Sequence, residues 1–167
     1  VASDHGLVPQ SGTDGADTNF VSNRRDLHSS PAIQVAGRRA MELAGVSPSD
    51  IDHVDLYSCF PSAVQIAATE MELGIDRQLT QTGGLTFAGG PLNNYVTHSI
   101  ATMAGVLRED AGSVGLCSAN GGYITKHAFG LYSTNPPANG FLHQDCQDEI
   151  DVVPRVELDA EYVGAGT

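Results

Sequence analysis

Positive charge is scarce in this sequence: 8 Lys and Arg stand against 20 Asp and Glu, for a formal net charge of −12. Such a field repels nucleic acid phosphates and anionic lipid alike, which argues against DNA, RNA or a membrane as partner. Tryptophan is absent and aromatics make up 6% of the 167 residues, so a core has to be assembled from small aliphatic side chains, as in α/β domains. Cysteine is limited to Cys59, Cys117 and Cys146, with no CxxC, and three thiols cannot all pair within one chain. A reducing cytoplasm is the expected location. His5, His28, His53 and His143 are scattered without ligand spacing, so no metal site is expected. No long apolar run, signal peptide or lipidation motif is found, and a soluble protein is expected. The chain opens at Val1 without Met, which reads as a piece of a longer protein.

What is present is a regular middle between two irregular ends. Residues 1–29 are rich in Gly, Ser, Asp and Thr and read as an irregular lead-in. Ser30 can cap, Pro31 suits a first helical position, and Ile33, Ala36, Ala40, Leu43 and Ala44 keep helical spacing up to Gly45. "HVDLY", residues 53–57, predicts a short strand. Pro61 opens a second helix with Val64, Ala67, Ala68 and Met71 on its face, ended by Gly74. "GGLTFAGGPLNNYVTHS", residues 83–99, leads into a third helix, capped near Asn93 or Asn94, with Val96, Ile100, Met103, Ala104 and Leu107 on one face and Gly112 as its stop.

"SVGLC" predicts a strand, "SANGG" a tight turn, and residues 123–132 a second strand, so the two should pair as a hairpin. The fold class expected is α/β, with helices on the faces of a mixed sheet. Residues 30–138 form this domain, residues 139–151 an acidic linker, and residues 152–167 the start of an additional β segment, because Val152, Val156, Leu158, Ala160 and Tyr162 alternate with charged residues.

Small and polar residues gather at three turns, "LYSCFPS", "TFAGGPLNNY" and "CSANGGYITKH", all at the ends of core elements where ligand sites of α/β sheets collect. "VDLYSCFPS" resembles the "HDCF" segment of the sterol-carrier-protein type of thiolase. "GGLTFAGGPLNNY" resembles the "GG…GHPLGATG" loop of thiolases generally, and "LCSANGG" sits where they carry a "CxG" turn. The resemblance runs from about Ser30 to Thr134, in the order of the second half of the thiolase fold. It implies a β-α-β-α-β-β half whose five-stranded sheet is sandwiched by helices, with the active site between this half and a pseudo-symmetric first half. The nucleophilic cysteine of the family belongs to that first half.

The motifs depart from the family where its chemistry resides. Gly90 stands at the His of "GHP", which removes a proton acceptor and an oxyanion donor, and loss of one such donor alone costs about 10²–10³ in rate. Tyr57 and Ser58 stand at the His-Asp of "HDCF", while Cys59 and Phe60 match. At the "CxG" turn, alignment on the glycines puts Ser118 at the reactive cysteine, and alignment on the sulfur picks Cys117.

The candidate catalytic positions are therefore Tyr57, Cys59, Gly90, Ser118 and Tyr123, with Tyr95 a further candidate acid and His127 within reach of a site edge. Gly89, Gly90, Asn93, Asn94 and Asn120 are the candidates for holding a ligand, through close backbone approach, helix-start N–H groups and side-chain amides. Arg24 and Arg25 are weaker candidates for a nucleotide phosphate. The resemblance implies a CoA-binding, acetyltransferase-like protein of lipid or sterol metabolism, with CoA or an acyl-CoA as ligand and no tightly bound cofactor. Its partner would be the N-terminal thiolase half or a second subunit, in an oligomer or heteromer. The alternatives are a non-catalytic CoA-binding or assembly domain, and a thiolase-like retro-aldolase acting through tyrosine.

Overall fold

The protein, in a computed structural model that describes residues 6–157 and 159–165, is built on a five-stranded mixed sheet of order β2-β3-β4-β1-β5. The elements are β1 (Val8–Ala16), α1 (Pro31–Ala44), β2 (His53–Asp55), α2 (Pro61–Glu70), α3 (Leu85–Ala88), α4 (Tyr95–Glu109), β3 (Val114–Gly121), β4 (Lys126–Ser133), β5 (Leu142–Asp145) and α5 (Gln147–Asp151). β2 and β3 are parallel, β3 and β4 form the expected antiparallel hairpin, and β1 runs antiparallel to β4 and parallel to β5.

The best-specified helix is α1. The Ser30 hydroxyl accepts the Ile33 N–H at 3.3 Å, Pro31 occupies the first turn, and Gly45 closes the helix at φ 70. Its buried stripe of Ala32, Ile33, Ala36, Gly37, Ala40 and Met41 packs with Ile66, Ala67 and Met71, and with Leu116, Phe129 and Leu131 of the sheet. At Gly37 a Cβ would sit 2.9 Å from the buried Met71 side chain, which would have to shift to admit it. α4 lies on the opposite face, where Met103 and Leu107 cover Cys117.

The lead-in is not irregular: residues 8–16 form β1, which pairs along its whole length with β4. It escapes an apolar-alternation test because its inward positions are Ser11, Thr13 and Gly15. The two hydroxyls are buried beneath α1 and donate to helix carbonyls, Ser11 to Ala40 at 2.6 Å and Thr13 to Ala36 at 2.7 Å. Polar core positions that are fully bonded in this way carry no hydrophobic signature.

Four further expectations are corrected. The segment 139–151 is not a linker, because it folds as β5 and α5, with Ile150 and Cys146 buried against the α1 side of the core. No strand is found between 152 and 165 among the described residues; this stretch is exposed and irregular, and Leu158 lies outside the described residues. β3 continues to Gly121, so "SANG" is strand and the hairpin turn follows it. Neither Asn93 nor Asn94 caps α4, which starts from a 3-10 turn, Leu92–Asn94, without a side-chain cap.

Candidate functional site

The C-terminal ends of β2, β3 and β1 and the start of β4 meet at one end of the sheet, and a cavity of about 500 Å³ opens there. Its walls come from the turn after β2, the entry to α4, the β3–β4 hairpin and the β1–β5 edge. Tyr57, Asn93, Tyr95, Asn120, Lys126 and His127 supply its polar groups, with Asp14 and Asp145 on the β1–β5 side. Parallel pairing of β2 with β3 brings the first wall to the third: the Tyr57 N–H donates to the Ser118 hydroxyl at 2.9 Å.

Tyr57 is the group best placed for a ligand. Its ring meets Tyr95 edge to face at 5.1 Å, while its hydroxyl meets no hydrogen-bond partner among the described residues. Burial, reinforced by the neighbouring Cys59, raises its pKa above the usual phenol value, so it is a protonated donor at neutral pH. Beside it the Asn120 amide donates to the Cys59 sulfur at 3.5 Å, and the buried amide oxygen of Asn120 has no partner among the described residues. A buried acceptor left open beside a cavity is completed by water or a ligand.

Beneath the site lies a network that the sequence reading did not identify. Asp55, fully buried at the end of β2, accepts from the Tyr95 hydroxyl at 3.3 Å and from the Thr82 N–H at 3.3 Å. The Tyr95 and Thr82 hydroxyls are 2.7 Å apart. Burial raises the pKa of Asp55 against the lowering effect of these donors. The signal was available, as a carboxylate inside the apolar run "HVDLY" has to be bonded or expelled.

The candidates separate clearly. Tyr57, Asn93, Asn120, Tyr95 and His127 line the cavity, and Cys59 adjoins it through Asn120. Ser118 is buried behind the wall with its hydroxyl engaged by Tyr57. Cys117 turns to the α4 side, and burial pushes its thiol up to about 12, which leaves it inert. Gly89, Gly90 and Asn94 are exposed outside the lining, with the Asn94 amide 3.4 Å from His98. Tyr123, 78% exposed on the hairpin turn, does not enter the cavity. Arg24 is committed to the Tyr123 and Ser29 carbonyls and to Asp17, and Arg25 faces solvent beside Asp26.

Space does not exclude a histidine at position 90: a Cβ there would meet only Leu85, at 4.0 Å, and the backbone is not in the left-handed region. Gly90→His is therefore expected to stay within about 0.5 kcal/mol of the parent, or about 1–2 °C in a thermal melt.

Known proteins share this fold. The family model of thiolase C-terminal domain-like sequences matches residues 13–75. A monomeric SCP2-thiolase like protein type 1 from Mycobacterium smegmatis superposes with a TM-score of 0.84 at 35% identity, over 92% of this chain and 35% of that one. Human mitochondrial 3-ketoacyl-CoA thiolase in complex with CoA gives 0.58 at 22% identity, over 77% of this chain and 30% of that one. The peroxisomal 3-ketoacyl-CoA thiolase of Saccharomyces cerevisiae, a five-layered structure built from two core domains of identical topology, gives 0.50 at 20% identity, over 60% of this chain and 29% of that one. The latter two likenesses concern the fold alone. The chain thus spans about a third of the length of these relatives. No curated protein matches it.

Proposed function

The chain carries a C-terminal-half thiolase-like domain, and from that premise we propose that its cavity takes the acyl end of a CoA thioester. The observation that carries this reading is the Tyr57 phenol, protonated, unpartnered and facing a cavity of about 500 Å³. It would donate to the thioester carbonyl where the family places an imidazole, with the Asn120 amide beside it. The uncapped N–H groups at the start of α4 add partial positive charge at the same wall.

Gly90 offers no proton acceptor for standard thiolysis. The activity the cavity fits is acyltransferase or carbon–carbon bond chemistry on an acyl-CoA of lipid or sterol metabolism, in the cytoplasm. A second core would complete the site, from the same polypeptide or a partner subunit. A second observation favours that docking: the α4-side face of β1 and β4 holds an open groove of about 240 Å³, lined by Val96, Ala128, Tyr132 and the half-exposed Phe141. An open apolar groove on a sheet face offers a seat for another layer.

Isothermal titration with acetyl-CoA and octanoyl-CoA tests the reading. Binding is expected, with Tyr57→Phe weakening it by about 2–10-fold, the value of one hydrogen bond. Absence of heat with either thioester would leave the chain as a docking domain alone.

A further inference from the structure

The run "GGLTFAGG" is a helical turn between two glycine pairs. α3, Leu85–Ala88, has no buried residue, and the chain enters and leaves it through Gly83, Gly84 and Gly89 at φ 84, 76 and 78, a region closed to most side chains. Two side chains tie it to the body: Ser58, whose hydroxyl accepts the Leu85 N–H at 3.1 Å, and Thr82, whose hydroxyl accepts the Gly84 N–H at 3.0 Å. Both anchors border the cavity wall, since Ser58 follows Tyr57 and Thr82 bonds Tyr95.

The turn displays an apolar surface that the fold leaves unused. Phe87 is 84% exposed, with its side chain beside Gly83 at the hinge. Leu92, which lines the cavity, is 90% exposed and held at φ 53, a strained value for a non-glycine residue. Exposed aromatic area, hinge glycines on both sides and few ties to the core are the properties of a segment that moves on binding.

We propose that α3 is a hinged cover that folds over the cavity and lays Phe87 on the apolar part of the bound acyl group, so that Phe87 sets the preference for longer acyl chains. This rests on the thioester reading above. Rotation about the two glycine pairs leaves the hydrophobic clusters intact, because residues 83–90 belong to neither, and it exchanges the Ser58 and Thr82 bonds at the buried Gly84 end for contact with the ligand. Closure would replace the Phe87–water contact by a Phe87–acyl contact, and its driving force grows with acyl length.

The absence of tryptophan makes the test direct, since Phe87→Trp introduces a single reporter. Octanoyl-CoA is expected to shift its emission to the blue and to reduce acrylamide quenching about threefold, with CoA alone leaving both unchanged. Phe87→Ala should weaken octanoyl-CoA by about 10-fold and acetyl-CoA by less than about twofold in calorimetry. Gly89→Ala, whose methyl meets no atom within 4 Å, changes only the hinge and should reduce the emission shift of the tryptophan variant.

Calorimetric binding of octanoyl-CoA without any change at the tryptophan overturns the cover and leaves thioester binding intact. Loss of all heat in the parent chain overturns both. Shielding of the tryptophan that depends on protein concentration and not on ligand identifies the turn as a contact between copies, which also overturns it.

Discussion

Replacing Tyr95 with alanine is expected to cost the fold about 3–5 kcal/mol, the range for truncating a buried aromatic. Tyr95 is 1% exposed at the first position of α4, so its ring fills space that the neighbouring elements cannot close without moving. Its loss also removes the edge contact with Tyr57 and one of the donors to Asp55. Asp55 has no exposure, and a carboxylate stripped of a donor in such a site either takes up a proton or draws in water. For a chain of this size the change corresponds to a fall of about 10–15 °C in the melting temperature.

Tyr95→Phe separates the two contributions, since it keeps the ring and removes only the hydroxyl. About 1 kcal/mol is expected for it, as Thr82 still donates to Asp55 through its backbone. Urea unfolding of both variants measures the pair. Equal losses would mean that the hydroxyl network alone, and not ring packing, holds the entry of α4. The cavity wall should suffer in the same order, because Tyr57 rests on the Tyr95 ring.

Elements with an apolar period were legible in the sequence, and elements whose core side chains are polar were not. α1 announced itself through Ser30, Pro31 and Gly45, and the β3–β4 hairpin through its apolar strands. β1 was hidden because Ser11 and Thr13 bond to α1 carbonyls, a partnership visible only after the helix is packed on the strand. β5 and α5 were hidden by acidic surface residues around two buried ones, Cys146 and Ile150. Among the described residues the alternation at 152–162 meets no partner strand, and a strand with nothing to pair with does not form.

The site divides along the same line. Tyr57, Cys59 and Asn120 could be named from motif position, and parallel pairing of β2 with β3 brings them together. Tyr123 escapes a reading by motif because β3 runs on to Gly121, which moves the residue onto the outer turn. Asp55 and Thr82 belong to no motif, and their role arises from the approach of the glycine loop to the end of β2. Gly90 was legible as a substitution, yet its consequence is chemical and not steric, since the backbone there leaves room for a side chain.

Acid is expected to weaken the fold through His127. The imidazole is 5% exposed on the α1 side of β4, with Nε2 3.5 Å from the Ser30 hydroxyl. Burial lowers its pKa to about 4, against the raising effects of the Ile124 and Ala119 carbonyls and Asp17; Arg24 lowers it further. In the unfolded chain the same group titrates near 6.5. Between pH 6.5 and 4 the unfolded state therefore holds more protons than the native one, and stability falls as pH falls. The contribution is fully present above pH 6.5. It is lost by about pH 4, and 2.5 units at 1.36 kcal/mol each correspond to about 3 kcal/mol. Asp55 works in the opposite sense: a carboxyl with a raised native pKa favours the fold most at low pH and loses that advantage as pH rises. The His127 share is isolated by His127→Gln, which retains a polar group for Ser30 and cannot titrate. Urea unfolding of both chains from pH 7 to 4 should show the parent losing about 3 kcal/mol more than the variant. Parallel curves would mean that His127 titrates alike in the native and unfolded chains, and that burial on β4 does not hold its imidazole neutral.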